Sequence, residues 1–166
     1  VALWDERHRA LVLAVDHFGM KRLHYAITPD ALAFASQPSA LRAVPGVTGS
    51  VDPEAVYAYL NFGYVPAPSS MFTGIRRLPP GSVLLLTGGE PTITRYWDLS
   101  YQERHLGLAE ASAATAQLVE EAVSLALRDA PVKETGAFLS GGTDSSTVVG
   151  LMTKVTGERV NAFSIG

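Results

Sequence analysis

The stretch FLSGGTDSST, residues 138–147, constrains the fold of this chain more than any other ten residues. A short apolar run, GAFLS at 136–140, meets two glycines; an acid, two serines and a threonine then lead into Val148 and Val149. That order predicts a buried strand over 136–140, a tight turn, and a helix over 145–155. VNAFSIG at 160–166 reads as a second strand. Upstream, residues 109–129 are rich in Ala, Glu, Leu and Val without Gly or Pro. They predict a helix about 30 Å long at 1.5 Å per residue, with Leu118, Ala122, Val123, Leu125 and Ala126 as its buried stripe. Pro131 stops it. Helix, strand, loop, helix and strand in that order open a parallel α/β sheet. Such a sheet normally has more than two strands, so the chain is expected to be a piece of a larger protein.

A strand that runs through glycines into a helix makes an anion site. The helix start offers N–H groups without intrahelical partners and the positive end of the helix dipole. Gly141 and Gly142 let the backbone come close and adopt positive φ, and Ser140, Ser145 and Ser146 add hydroxyl donors. Successive N–H groups in such a turn form a nest suited to pyrophosphate. The plainer alternative is a structural turn with Asp144 as the helix N-cap. A lysine-bearing phosphate loop is excluded, because no Gly-Lys pair occurs in the chain. An acid in the nest points instead to magnesium held against phosphates, and to chemistry at the α-phosphate with pyrophosphate as leaving group.

Residues 1–36 read as four short strands, VALWD, ALVLAVD, LHYAIT and LAFAS, with ERHR and TPDA as turns. Close spacing predicts antiparallel hairpins. Asp52-Pro53-Glu54 signals a helix start, with Asp52 as cap and Pro53 at the first helical position. That helix runs to about Asn61 with Val56, Tyr59 and Leu60 on its apolar side. Two prolines and two glycines keep residues 63–74 irregular. A Pro-Gly turn at 80–81, a strand at 82–87, a Gly-Gly turn at 88–89 and a strand at 92–97 complete the β-rich part. Residues 99–108 are polar and mixed, a linker.

Several partners are disfavoured by composition. Net charge is −3 and neither half of the chain is strongly basic, which argues against nucleic acid. No uncharged run is long and apolar enough to suggest a membrane span, and no signal-peptide pattern is present. The absence of cysteine removes disulfides, thiolate metal sites and cysteine nucleophiles from these 166 residues. A cytoplasmic protein is the expectation. His8 and His105 sit among charges and read as solvated; His17 and His24 lack ligands at zinc spacing. Arg76-Arg77 reads as a solvated turn, with an acidic neighbour as the alternative. Trp4 and Trp97 read as core or interface residues.

LSGGTDSS resembles the PP-loop of the N-type ATP pyrophosphatases, which include asparagine, GMP and argininosuccinate synthetases. The upstream half narrows this. ALWDERHRALVLAVDHFGMKRLHY resembles the stretch of class II glutamine amidotransferases of the asparagine synthetase type that commonly reads RDRxGxKPLYY. The segments SVDPEAVYAYLNFGYVPAPSSMFTGIRRLPPGSVLLL and ITRYWDL resemble the connector of that family. The resemblance covers essentially the whole chain, in the family's order. It implies an α+β part followed by an α/β part. Residues 1–98 would be the C-terminal part of an Ntn-hydrolase-type glutaminase domain. Residues 99–108 would be a linker, and 109–166 the start of a Rossmann-like synthetase domain with its PP-loop.

What the resemblance implies about chemistry is specific. Glutamine is hydrolysed, ammonia passes to the synthetase domain, ATP with magnesium activates the side-chain carboxylate of aspartate, and ammonia displaces AMP. Asp16 would bind the α-amino group of glutamine, a buried carboxylate against an ammonium; its plainer role is to cap the turn between two strands. Leu139 would touch the base or ribose of ATP through its backbone. Ser140, Gly141, Gly142, Asp144, Ser145 and Ser146 would form the pyrophosphate loop, with Asp144 as a magnesium ligand. Ile165 would contact adenine, with core packing as the plainer alternative. A homodimer is compatible with the full-length form.

The sequence departs from the family pattern in places. The family's N-terminal cysteine nucleophile is not among these residues, so this piece alone is expected not to hydrolyse glutamine. Arg22 stands where proline is frequent, His24 where tyrosine is frequent, and Thr143 where Leu, Val or Ile is more usual. Two rival readings remain: a related enzyme that amidates or cyclises another carboxylate, as in β-lactam formation, and a truncated, non-catalytic protein.

Overall fold

The computed structural model of the chain describes residues 1–103 and 105–165. Position 104 of the expected linker and Gly166 of the expected last strand lie outside the described residues. The chain divides into two compact units, Val1–Tyr101 and Gln102–Gly166.

The first unit holds two antiparallel sheets. Strands β1 (Ala2–Asp5), β2 (Ala10–Ala14), β6 (Ser82–Leu86) and β7 (Thr92–Arg95) form one, in the order β1-β2-β6-β7. Strands β3 (His24–Ile27), β4 (Leu32–Ala35) and β5 (Arg76–Arg77) form the other, in the order β4-β3-β5. Each expected hairpin is present, β1 with β2 and β3 with β4, but the two hairpins join different sheets. The reason is burial. Leu13 on β2 faces Leu84 on β6 in register, and both are fully buried with Val15, Tyr25 and Leu78. Tyr25 comes from β3, so the core is the space the two sheets share. A second cluster, Ala26, Leu41 and Ile75, closes its far side.

Two features differ from the sequence expectation. Arg76 and Arg77 are not a solvated turn: they form β5, with His24 opposite Arg77 and Tyr25 opposite Arg76. Strand β7 stops at Arg95 instead of 97, because the N–H groups of Tyr96 and Trp97 both turn to the Gly81 carbonyl.

Helix α2 (Pro53–Phe62) starts where expected. Asp52 accepts the Glu54 N–H at 2.9 Å, and Gly63 at φ 73° closes the helix. Its inward face is not the expected one. Ala55 is buried, whereas Tyr59 and Leu60 are 51% and 77% exposed and Val56 is at the surface. Only small side chains fit beneath this helix, so its bulky apolar residues face outward in this chain.

The second unit contains α3 (Leu108–Leu127), β8 (Gly136–Phe138), α4 (Thr143–Thr156) and β9 (Asn161–Phe163). Strands β8 and β9 pair in parallel with α4 as their crossover. The helices α3 and α4 contact each other, and each buries one residue, Val123 and Met152 respectively. The inward face of α3 carries the buried Val123, with Val119 and Leu127 half-buried one turn to either side and Ala111 half-buried near the helix start. Leu118, Ala122, Leu125 and Ala126, expected in the stripe, are exposed. The strands are shorter than 136–140 and 160–166. Helix α4 begins two residues early because Gly142, extended at φ −80° and ψ 165°, takes the N-cap position. Asp144 therefore lies in the first turn and does not cap it.

Candidate functional site

The sequence singles out two places, one in each unit. In the first, β2 continues to Val15, whose N–H donates to the Ser82 carbonyl, and the chain then turns sharply over 16–21. The turn is built on Asp16. Its carbonyl accepts the N–H groups of Gly19 at 3.1 Å and Gly81 at 2.9 Å. Its carboxylate accepts three more: Phe18 at 3.2 Å and Met20 at 3.0 Å on Oδ1, and Lys21 at 3.1 Å on Oδ2. These donors, Met20 and then Lys21 foremost, hold the carboxyl below the usual aspartate range.

Surrounding aromatics brace the turn. Tyr96 donates its hydroxyl to the Val15 carbonyl at 2.7 Å, and Trp97 packs on His17 and Phe18 at centroid distances of 4.7 and 5.2 Å. Asp16 is exposed in this chain, not buried as the sequence reading required. The three N–H groups leave acceptor capacity on both oxygens, since an ionised carboxylate has about four lone-pair positions. The turn can thus present a fixed negative charge to a cation from solvent.

The second place is the loop between β8 and α4. Leu139 follows the last residue of β8, donating its N–H to the Phe163 carbonyl at 2.8 Å; its own carbonyl accepts the Ser164 hydroxyl at 2.7 Å. Ser145 folds back over the loop. Its Oγ accepts the Ser140 N–H at 3.2 Å, lies 3.1 Å from Ser140 Oγ, and donates to the Gly142 carbonyl at 3.2 Å. Gly141 takes φ 81°, in the left-handed region that a side chain resists. No side chain caps Gly142, so the first-turn N–H groups of α4 are open. Asp144 and Ser146 are exposed beside them.

The loop thus brings together Leu139, Ser140, Gly141, Gly142, Asp144, Ser145 and Ser146 at the carboxyl ends of two parallel strands. Ile165 follows Ser164 and is 93% exposed, which excludes core packing as its role in this chain. Asp16 stands apart in the first unit. Three supporting residues escape the sequence reading: Gly81 and Tyr96, which hold the Asp16 turn, and Ser164, which ties β9 to Leu139. Ser164 left a faint signal, a hydroxyl between Phe163 and Ile165 where an apolar strand end was expected.

The donor set of the loop fits magnesium in one respect: that ion takes one or two carboxylates and completes its shell with phosphate and water oxygens, and Asp144 is a solvent-facing carboxylate beside open N–H groups. Among the described residues no three His, Cys, Asp or Glu side chains gather as a self-sufficient metal site.

Comparison with known proteins now bears on both places. Residues 1–97 match the family described as the glutamine amidotransferase domain, and residues 114–166 match asparagine synthase. The chain belongs to the glutamine-hydrolysing asparagine synthetase family. It is 29% identical over 166 residues to asparagine synthetase [glutamine-hydrolyzing] 1 of Bacillus subtilis, covering 99% of this chain and 26% of that protein. It is 29% identical over 152 residues to asparagine synthetase [glutamine-hydrolyzing] 3 of the same organism, covering 90% and 24%. It is also 29% identical over 157 residues to amidase chry2 of Gibberella zeae, covering 90% and 22%. The chain therefore spans about a quarter of the length of these relatives. The amidotransferase match contains both antiparallel sheets and Asp16, and it fits an Ntn-type fold. The asparagine synthase match contains α4 and its loop. Among the described residues no helix is long and apolar enough to cross a membrane.

Proposed function

We propose that this chain is the middle of a cytoplasmic, ATP-dependent, glutamine-hydrolysing asparagine synthetase. Residues 1–98 are the C-terminal part of its glutaminase domain, 99–108 the linker, and 109–166 the start of its Rossmann-like ATP pyrophosphatase domain. The observation that carries this reading is the uncapped start of α4 behind Gly141, at the carboxyl ends of β8 and β9. That is where an open α/β sheet takes its ligand, and open N–H groups there suit a polyphosphate.

The residues divide the work. Asp16, held ionised by its turn, pairs with the α-ammonium of glutamine and orients that substrate. Leu139 positions the nucleoside through its backbone, and Ile165 offers an apolar surface to adenine. Ser140, Gly141, Gly142, Ser145 and Ser146 hold the β- and γ-phosphates by N–H and hydroxyl donors, and so stabilise the pyrophosphate as it leaves. Asp144 would hold magnesium, which supplies charge neutralisation on the phosphates when bound. A carboxylate oxygen of aspartate attacks the α-phosphorus, pyrophosphate departs, and ammonia then displaces AMP to leave the amide. The full-length enzyme is read as a homodimer. A second reading keeps this chemistry and changes the acceptor acid; the similarity to a protein named as an amidase favours keeping it.

ATP–pyrophosphate exchange by the full-length protein tests the proposal. Exchange should require aspartate and fall at least about 100-fold in Ser145→Ala, which removes a loop donor. Exchange that appears only with another carboxylic acid overturns the asparagine reading.

A further inference from the structure

At the end of β3, beside the Asp16 turn, a cavity of about 420 Å³ is lined by Lys21, Arg22, His24, Ser36 and Gln37, with Met20 and Pro38 completing its wall. Small-molecule sites occupy this size range. Among the described residues every charged one that lines the cavity is cationic, and no carboxylate lines it. The positive charge extends further, because Arg77 is the cross-strand partner of His24. Residues facing one another across a strand pair share a sheet face, so Arg77 and His24 project to the same side.

Among the described residues, none of Lys21, Arg22 and Arg77 forms an ion pair. Clustered cations without an acid repel one another. Two of these groups are also disfavoured as cations by their burial. Burial, then the Arg22 charge, holds Arg77 below its ordinary range. Burial, joined by Arg77 and Arg22, does the same to His24 against the opposing pull of the Ser36 carbonyl. That carbonyl lies 3.1 Å from Nδ1 of His24. With Nδ1 engaged there, the other ring nitrogen is left without a protein partner in the hydrogen bonds of this side chain. His24 is only 7% exposed, yet it lines the cavity. A solvated basic patch would not need a buried imidazole in its lining, nor the polar Ser36 and Gln37 beside it.

We propose that this cavity is a binding site for a small dianion, a phosphate monoester or a dicarboxylate, distinct from both the Asp16 carboxylate and the α4 loop. Arg22 supplies a planar fork that matches either oxyanion and Lys21 a point charge, with the charge of Arg77 behind the lining. Several cations match a ligand with more than one negative charge better than a lone monocarboxylate. The two ligand types share this chemistry and differ in source. The inference is independent of the glutamine and ATP reading.

The test is calorimetric titration of the full-length protein with inorganic phosphate and, separately, succinate, at fixed ionic strength against a chloride blank. At least one should bind with a stoichiometry of one to this cavity. Arg22→Ala and Lys21→Ala, both at exposed positions, should each weaken that binding about tenfold, while Lys154→Ala on α4 leaves it unchanged. The preferred anion separates the phosphate source from the dicarboxylate source. Binding that survives Arg22→Ala and Lys21→Ala but vanishes in Ser145→Ala belongs to the α4 loop and overturns the proposal. So does a wild-type protein that binds neither anion while Arg22→Glu changes its oligomeric state, which would mark the cluster as a contact for an acidic polypeptide.

Discussion

The Asp16 carboxylate takes N–H groups from Phe18, Met20 and Lys21, while its carbonyl takes those of Gly19 and Gly81. One residue thereby fixes a six-residue turn and anchors it to the start of β6. Its lowered pKa sets a pH dependence. A depressed carboxyl contributes stability that is fully present above its unfolded value, about 3.9, and is lost as pH falls through the folded value. The thermal midpoint of Asp16→Asn should therefore lie below that of wild type at pH 7, and the gap should narrow as pH drops below about 4. Asp5 and Asp98 are also depressed, by His8 and Arg95 respectively, but they remain in both proteins and cancel in the difference. A gap that stays constant down to the acid transition would refute the role of these hydrogen bonds. Gly81 is the second residue on which the turn depends. It sits at φ 60°, and a Cβ there would lie 2.4 Å from the Trp97 carbonyl oxygen. Gly81→Ala should cost about 2–3 kcal/mol in urea unfolding. The VDHFG motif made Asp16 legible in the sequence; Gly81 was legible only as a turn glycine, because its partners lie far along the chain.

Elements were read more securely than their orientation. The Asp52-Pro53-Glu54 start, the long Ala- and Glu-rich helix and the strand–glycine–helix unit all rest on local chemistry: a cap, a propensity, a turn. Which face of a helix is buried depends on what it meets, and that is not local. For α3, the expected stripe held Val123 together with Leu118 and Leu125; beside α4, Val123 is buried and the other two are exposed. Buried and exposed positions predict different mutational costs in this chain. Val123→Ala should lose about 1.5–2.5 kcal/mol, the transfer of two methyl groups plus a small cavity. Leu125→Ala, at a position 58% exposed, should stay within about 0.5 kcal/mol of wild type. Equal losses at the two positions in chemical denaturation would mean that the helix is rotated. The same reasoning explains β5. Two arginines carry no strand signal, and only pairing with β3 places them in a sheet.

At the scale of the whole molecule, both units turn many apolar side chains outward, and some of them fall in groups. On the first unit, Tyr57, Tyr59, Leu60, Phe62 and Tyr64 are each more than half exposed along α2 and just beyond it. On the second, Leu118, Leu125, Phe138, Phe163 and Ile165 are likewise more than half exposed. Isolated exposed apolar residues are ordinary, whereas contiguous ones mark surfaces that associate. The sheet of β8 and β9 adds to this: with two strands, each has an outer edge of backbone groups without a sheet partner among the described residues. The sequence reading reached the same point from the strand count, but it placed the apolar residues of α2 inside. The 166-residue chain should therefore self-associate as its concentration rises, bind the dye ANS in its native state, and do both less after Leu60→Lys and Phe62→Lys. Neither substitution touches a buried residue, so each should leave the circular dichroism spectrum unchanged. Size-exclusion chromatography with light scattering decides the matter. A monomer that persists across the concentration range, with no ANS signal, would mean that these side chains cover one another in solution instead of awaiting a partner surface.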